Sequence, residues 1–217
     1  MACYVRQMRK EDITHVLSID REAFPTQLPP PNFQHELRNR LAHYIVACDE
    51  ERTVEPPPDA PAPPKGLSAL FSRLSGWFNG KSDEPLPPTK QFITGFIGFW
   101  AMADEAHITS IAVREDLQRQ GIGELLLISS IDLARELNTS AVTLEVRVSN
   151  RVAQSLYAKL GFNDKGVRKG YYTDNREDGM VMTTDDINSP MYQAQLKELK
   201  KNHSGKWGTS HKRILPA

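Results

Sequence analysis

The chain of 217 residues carries 27 Lys and Arg against 27 Asp and Glu, so its formal net charge is zero when histidine is neutral. Hydrophobic residues make up 39% and charged residues 25%, which is typical of a globular protein and excludes a disordered or fibrous chain. No apolar run approaches the roughly 20 residues of a membrane span, and the charged N-terminus does not resemble a signal peptide. Because Cys3 and Cys48 are too few for a disulfide framework, we expect a reducing compartment and a cytoplasmic protein. Zero net charge also argues against nucleic-acid binding over the whole surface.

A proline-rich segment interrupts the chain at residues 51–90, which hold nine of the fifteen prolines. That density of fixed φ angles and missing N–H donors is incompatible with a packed helix or strand. We therefore predict a long, largely flexible insertion between two strands. Inside it, apolar residues at helical spacing predict a short amphipathic helix over 66–78. This helix either folds back on the domain or docks on a partner or a membrane surface.

A basic segment follows Ser189, where six Lys and Arg against one Glu give a net charge of +5. The pattern favours a solubilising helix over 190–201 followed by disorder, with RNA or ribosome tethering as the alternative. Without both segments 148 residues remain, the size of one domain. We therefore predict one domain over 1–188, interrupted by the insertion and followed by a basic tail over 189–217.

Hydrophobic spacing predicts an ordered series of elements within that domain. In chain order they are helices over 12–24 and 33–41, strands over 43–48, 92–102 and 107–113, a helix over 122–137, a strand over 141–148, a helix over 150–160 and a closing hairpin from Phe162 through Met182. Glycines 95 and 98 favour β-bulges in their strand. The alternation of strands and helices indicates an α/β or α+β class, with a sheet layered by helices.

A glycine pair lies between the strand over 107–113 and the helix over 122–137, in Gln118-Arg-Gln-Gly-Ile-Gly123. Two glycines allow a tight turn that presents successive N–H groups, and the following helix N-terminus favours negative charge. The pattern therefore indicates a site for a phosphate-bearing ligand, although a simple turn explains most glycine pairs. Leu126 excludes a dinucleotide-binding fingerprint, and the absence of Gly-Lys-Ser/Thr excludes a P-loop.

Two side chains near this loop have the chemistry of proton transfer. Alternation along 141–148 places Glu145 opposite the aliphatic face of its strand, where it either faces a cleft or pairs in solvent with Arg147. Tyr157 lies about two helical turns beyond Asn150, and its hydroxyl is either a proton donor or a satisfied group of a core aromatic. The six histidines have no metal-ligand spacing, so we expect no metal site.

These motifs together resemble the GNAT acetyltransferase superfamily. Gln118-x-x-Gly121-x-Gly123, after the strand ending Ile111-Ala-Val113, is similar to its acetyl-CoA pyrophosphate loop. The stretches similar to its RimI-type branch, the ribosomal-protein alanine N-acetyltransferases, are Leu144–Asn150, Ser155–Phe162, Arg168–Tyr172, Arg176–Asp178 and Ala23–Thr26. The resemblance implies a mixed, mostly antiparallel central sheet flanked by helices, and it covers neither the insertion nor the basic tail.

The resemblance also implies roles for individual residues. Glu145 corresponds to the family's proton acceptor and Tyr157 to its proton donor. The residues that correspond to its acetyl-CoA contacts are Ile111, Ala112, Val113, Gln118, Arg119, Gln120, Gly121, Ile122, Gly123, Glu124 and Asn150. Asn150 can also cap its own helix, which is compatible with a ligand contact.

The implied activity is transfer of acetyl from acetyl-CoA to the N-terminal alanine amine of a ribosomal protein. The acceptor peptide would lie between Phe24 and Pro25 on one side and Tyr171 and Tyr172 on the other, although both tyrosines can equally be hairpin packing. Gln27-Leu28 depart from the Pro-Trp expected in many relatives, which leaves the first residues of the acceptor open. One alternative is acetylation of lysine side chains or small amines. An alternative of another class is a coenzyme-A-binding module tethered to RNA or the ribosome.

Overall fold

The computed structural model describes residues 3–26, 31–54 and 90–208, and the backbone of 212–213. Its elements in chain order are β1 (Cys3–Gln7), α1 (Ile13–Ala23), α2 (Phe33–Glu36), β2 (Ala42–Thr53), β3 (Gln91–Met102), β4 (Glu105–Val113), α3 (Ile122–Glu136), β5 (Ala141–Arg147), α4 (Arg151–Lys159), β6 (Phe162–Tyr172), β7 (Glu177–Thr184), α5 (Pro190–Trp207) and β8 (Lys212–Arg213). Within these ranges no helix is both long and apolar enough to cross a membrane.

All eight strands join in one sheet, in the order β6-β7-β5-β4-β3-β2-β1-β8. Only the β4–β5 and β1–β8 pairs are parallel, and every other neighbouring pair is antiparallel. The predicted class, a mixed and mostly antiparallel sheet flanked by helices, is therefore confirmed.

The sheet has a hydrophobic core on each face. On one face α3 buries Leu126, Leu127 and Ile131 against the central strands. On the other, Val16 and Ile19 of α1 pack with Phe33, whose ring stands edge-on to that of Phe96 at a centroid distance of 5.7 Å. Burying each of these side chains stabilises the fold by about 1.5–3 kcal/mol, so both helical layers are firmly attached to the sheet.

Two predicted elements near the N-terminus differ from the structure. The helix predicted over 33–41 ends at Glu36, because the Asn39 side chain accepts the Leu41 N–H at 3.1 Å and forms a turn instead. β1 was not predicted, because Arg6 conceals its apolar character. That arginine is buried and forms two hydrogen bonds to Asp12, of 2.6 and 2.8 Å.

The proline-rich insertion begins later than predicted. β2 continues to Thr53, which pairs with Gln91 of β3, so residues 51–53 belong to the sheet. The predicted position of the insertion, between two strands, is consistent with the pairing of Thr53 with Gln91. Residues 55–89, with the helix predicted over 66–78, lie outside the described part of the chain.

The prediction that the domain ends at residue 188 and that a basic tail follows is wrong for residues 190–207. These residues form α5, which continues past Lys201 and buries Tyr192, Leu196 and His203. The Tyr192 hydroxyl donates to the Leu160 carbonyl at 2.8 Å. Net charge concealed this packing, because the buried side chains are spaced four and seven residues apart on one face of the helix and its lysines occupy other positions.

Candidate functional site

An opening in the sheet separates the ends of β4 and β5. The two parallel strands pair only at Glu105–His107 against Ala141–Thr143, although β4 continues to Val113 and β5 to Arg147. Beyond that point each strand still pairs with its other neighbour, β3 or β7, as far as Val113 and Arg147. The end of β4, Ile111–Val113, therefore borders the opening with backbone groups that β5 does not pair.

Bulges in β3 and β4 accompany this divergence. The β3–β4 register shifts between Gly98 and Phe99, and the β2–β3 register shifts near Gly95, as the two glycines predicted. A Cβ atom at Gly98 would lie 2.2 Å from the Tyr44 ring, and one at Gly95 would lie 2.7 Å from the Ala112 carbonyl oxygen. Glycine is therefore required at both positions because other groups approach the backbone closely.

Glu145 lies beside the opening, on the sheet face opposite the buried Leu144 and Val146. Only 4% of its side chain is exposed, and both carboxylate oxygens are engaged. Oε2 lies 2.7 Å from Nε2 of His107 and accepts the Tyr171 hydroxyl at 3.3 Å, whereas Oε1 lies 2.6 Å from Nη1 of Arg168. The carboxylate is thus held by three side chains from β4 and β6.

Arg147 does not pair with Glu145, so that alternative from the sequence is wrong. Its guanidinium contacts Asp174 at 2.8 Å and Glu177 at 3.1 Å, at the tip of the β6–β7 hairpin. Hydrogen bonds from Ser149, with further ones from Arg147 and Asn175, lower the pKa of Glu177 to about 2. This group therefore stays ionised and fixes the hairpin tip against the end of β5.

Tyr157 lies in the second turn of α4 with 6% of its surface exposed. Its ring packs against Phe162 at a centroid distance of 5.8 Å, and its hydroxyl forms no hydrogen bond with another described residue. Burial, with a smaller contribution from Tyr172, raises the pKa of Tyr157. The phenol is consequently protonated at neutral pH, which is the state required of a proton donor.

Tyr172 lies near both of these candidate residues. Its hydroxyl donates to the Glu145 carbonyl oxygen at 3.3 Å, and the same residue is close enough to Tyr157 to affect its pKa. The Arg147 guanidinium stacks 4.0 Å from the Tyr172 ring centroid. The structure therefore brings Glu145 and Tyr157 to one region, near Tyr172.

The predicted phosphate loop leads into α3 through a left-handed turn. Gly121 is the N-cap residue with φ of 81°, and Arg119 also has a positive φ of 59°. No side chain of the described residues caps this helix, so its first N–H groups remain available to a ligand. A Cβ atom at Gly123 would lie in ordinary van der Waals contact with the side chains of Leu156, at 3.6 Å, and Val113, at 3.9 Å. The second glycine therefore faces the side chains of β4 and α4.

Three other predicted coenzyme contacts have partners within the fold. The Gln118 side chain donates a hydrogen bond from Nε2 to the Val113 carbonyl oxygen at 3.3 Å. This bond connects the loop to the end of β4. Glu124 pairs with Lys159 of α4 at 2.6 Å. Asn150 caps α4 by accepting the Ala153 N–H at 3.1 Å, so its structural role is established.

The predicted acceptor-binding residues lie on two segments that the structure joins. The Thr26 hydroxyl, just after Phe24 and Pro25, donates to Asp174 of the β6–β7 turn at 2.7 Å. Tyr171 is 41% exposed and stands edge-on to Tyr172 at 5.2 Å. Gln27 and Leu28 lie outside the described residues.

Sequence reasoning missed His107 and Arg168 as partners of Glu145. His107 pairs in register with Thr143, two residues before Glu145 on the same face of β5, so the strand register was the missing information. No group of three or more His, Cys, Asp or Glu among the described residues could hold a metal ion.

Comparison with known proteins places the chain in a family. The acetyltransferase (GNAT) family model matches residues 54–162. A Bacillus subtilis (strain 168) protein, provisionally named a ribosomal protein bS18-alanine N-acetyltransferase, is 34% identical over 179 residues, which are 82% of this chain and 92% of the relative. The ribosomal protein bS18-alanine N-acetyltransferase of Escherichia coli (strain K12) is 47% identical over 81 residues, which are 36% of this chain and 55% of the relative.

A solved structure has the same fold. The crystal structure of the ribosomal-protein-S18-alanine N-acetyltransferase from Escherichia coli superposes with a TM-score of 0.57 at 23% identity, covering 85% of this chain and 94% of that one. The two sequence relatives confirm the resemblance to the RimI-type branch. The chain therefore belongs to the acetyltransferase (GNAT) family and is an enzyme of the acyltransferase class.

Proposed function

We propose that this enzyme transfers the acetyl group of acetyl-CoA to the α-amine of an N-terminal alanine in a ribosomal protein. The observation that carries the proposal is the position of Glu145, a nearly buried carboxylate beside the opening between β4 and β5. Similarity to proteins named as ribosomal protein bS18-alanine N-acetyltransferases supports the choice of acceptor. A ribosomal acceptor also supports a cytoplasmic location.

The residues around the opening fit acetyl-CoA. The uncapped N–H groups at the start of α3 suit its diphosphate. The unpaired edge of β4 over Ile111–Val113 suits its amide-containing arm, because an exposed strand edge offers both N–H donors and C=O acceptors. The bound thioester supplies an activated acetyl group, and a main-chain N–H near Val113 would stabilise the oxyanion that forms.

The amine must lose a proton before or during its attack. A peptide α-amine has a pKa of roughly 8, so it is mostly protonated at neutral pH. We assign Glu145 as the proton acceptor, acting directly or through one water. His107, Arg168 and Tyr171 hold its carboxylate in one orientation. Preorganisation of this kind removes the need to reorient the base during the reaction.

The departing thiolate sulfur must gain a proton as the bond between sulfur and the acyl carbon breaks. We assign Tyr157 as the donor, because a phenol is protonated at neutral pH and Tyr157 corresponds to the family's proton donor in the sequence resemblance. Tyr172 lies near both Tyr157 and Glu145. One group can therefore accept a proton from the amine while the other protonates the sulfur.

We propose that the acceptor peptide binds between the loop after α1 and the β6–β7 hairpin. Thr26 and Asp174 connect the two segments, and Phe24 with the exposed Tyr171 offers aromatic walls for a short N-terminal peptide.

The test is acetylation of model peptides that differ only in their first residue, monitored by mass spectrometry with acetyl-CoA present. We expect the highest kcat/KM for the peptide that begins with alanine, and no product when its α-amine is blocked. Acetylation of lysine in a blocked peptide would instead support the side-chain alternative. Salt-dependent RNA binding without acetyl transfer would support the tethered module.

A further inference from the structure

The C-terminal helix α5 ends against the phosphate loop. Its Trp207 ring covers Gly121 so closely that a Cβ atom there would lie 2.6 Å from the indole Cδ1 and Nε1 atoms. One helical turn earlier, Nε2 of His203 lies 3.0 Å from the Gly121 carbonyl oxygen. Because the carbonyl only accepts, the ring nitrogen is the donor. Two side chains of α5 thus contact the residue that caps α3.

Contacts along the whole of α5 fix this position. The helix runs antiparallel to α3, because Gln193 near its start bonds Arg135 near the end of α3, and Trp207 at its end contacts Gly121. Between these points Lys200 pairs with Asp132 at 2.6 Å. His203 and Trp207 are four residues apart and share one face of the helix. The contact with the loop is therefore supported by anchors over about four turns of helix.

The hydrogen bond from His203 orients a specific peptide group. The Gly121 carbonyl and the Ile122 N–H belong to one planar trans peptide, so they point in opposite directions. His203 and the Leu125 N–H, at 2.9 Å, both donate to the carbonyl and fix that plane. The Ile122 N–H is consequently directed away from His203. Trp207 further restricts a turn in which Gly121 and Arg119 both have positive φ.

We propose that His203 and Trp207 are positioning residues that hold the phosphate loop ready to bind the coenzyme diphosphate. A loop already fixed in its binding conformation loses less conformational entropy when the ligand arrives, so affinity rises. This inference rests on the proposed acetyl-CoA site at the start of α3. It assigns a function to residues 190–207, which sequence reasoning treated as a tail.

The experiment is calorimetric titration of the full chain with coenzyme A, using the wild type, Trp207→Ala and His203→Ala. We expect the dissociation constant of each variant to rise about tenfold, because small displacements of positioning groups have effects of this size or larger. The KM for acetyl-CoA should rise in parallel, whereas kcat at saturating acetyl-CoA and the KM for the peptide should not change. Met191→Ala is the matched control, since Met191 lies on the same helix and is 77% exposed.

Conservative variants separate positioning from general stability. Trp207→Phe retains a flat ring over Gly121 and His203→Gln retains an N–H donor, so both should bind coenzyme A more tightly than the corresponding alanine variants. If Trp207→Ala does not fold, the His203→Ala and His203→Gln pair decides the question. Trp207 fluorescence in a Trp77→Phe, Trp100→Phe background should also change on addition of coenzyme A.

Two negative results have different meanings. Absence of coenzyme A binding by the wild type would refute the proposed function itself. Wild-type binding together with unchanged affinity in the alanine variants, even at a lowered melting temperature, would refute only the positioning role.

Discussion

Replacing Glu145 by glutamine tests the proposed chemistry most directly. The substitution keeps the size of the side chain and its ability to accept hydrogen bonds from His107 and Tyr171, but it removes the charge that faces Arg168. A general base contributes roughly 10²–10⁴-fold to a rate, so kcat should fall by a factor in that range. The corresponding rise in the activation barrier is about 3–5 kcal/mol.

The effect on folding should be much smaller than the effect on catalysis. Arg168 is 56% exposed on its side chain, so solvent already screens the ion pair with Glu145 and little stability is lost with it. A loss of about 1 kcal/mol would lower the melting temperature by about 2–4 °C in a chain of this length. The variant should therefore be folded and nearly inactive at room temperature.

The assay is release of free coenzyme A thiol with an alanine-starting peptide, accompanied by mass spectrometry of the product. Glu36→Gln is the matched control. Glu36 is also a partly buried glutamate, and it accepts the Trp100 indole N–H at 2.8 Å, but it lies on α2 and not beside the opening between β4 and β5. Its kcat/KM should stay within about twofold of the wild type. A Glu145→Gln enzyme with wild-type kcat/KM would refute the assignment of Glu145 as proton acceptor.

Three further substitutions give distinct outcomes. Tyr157→Phe should lower kcat by roughly 10²-fold or more with little change in melting temperature, because the hydroxyl forms no hydrogen bond with a described residue; unchanged kcat would exclude Tyr157 as the donor. Asp20 is buried with Oδ1 unpartnered, and burial raises its pKa from 3.8 to about 6, so its stabilising contribution is present below pH 3.8 and lost as the pH rises through 6. Asp20→Asn should therefore raise the melting temperature at pH 8 more than at pH 4, and an equal change at both pH values would contradict this. Glu177 has a lowered pKa, so its contribution is present above pH 4.5 and lost as the pH falls towards 2. Glu177→Gln should thus flatten the acid limb of a plot of melting temperature against pH, and an unaltered limb would show that Glu177 does not contribute to it.

Much of the fold was predictable because it depends on short-range spacing. Helix α3 and strand β5 were predicted to within a residue or two, since apolar residues recur at intervals of three to four or of two. The same alternation correctly placed Glu145 on the face of β5 opposite the aliphatic residues. The glycine pair predicted the turn into α3, because only a residue without Cβ adopts φ of 81° under the Trp207 ring.

The partners of Glu145 could not be predicted in this way. His107 and Arg168 are 38 and 23 residues away along the chain, and the register of β4 against β5 and the fold of β6 decide whether they meet it. Arg147, the nearest cation in sequence, binds Asp174 and Glu177 instead. Similarly, the sequence shows Arg6 as a charged residue but does not show that it is buried beside Asp12, so β1 was not predicted.

The sequence by itself determined the order of the elements from α1 to β7, the turn into α3 and the identity of the two proton-transfer candidates. Only the tertiary structure decided which groups surround Glu145 and where residues 190–207 lie. Local spacing defines an apolar face but does not say what covers it. Net charge describes the whole of α5, whereas its position follows from Tyr192, Leu196 and His203, which the folded chain buries. Contacts between distant segments require the chain between them to close into a loop, and local spacing does not specify which segments meet.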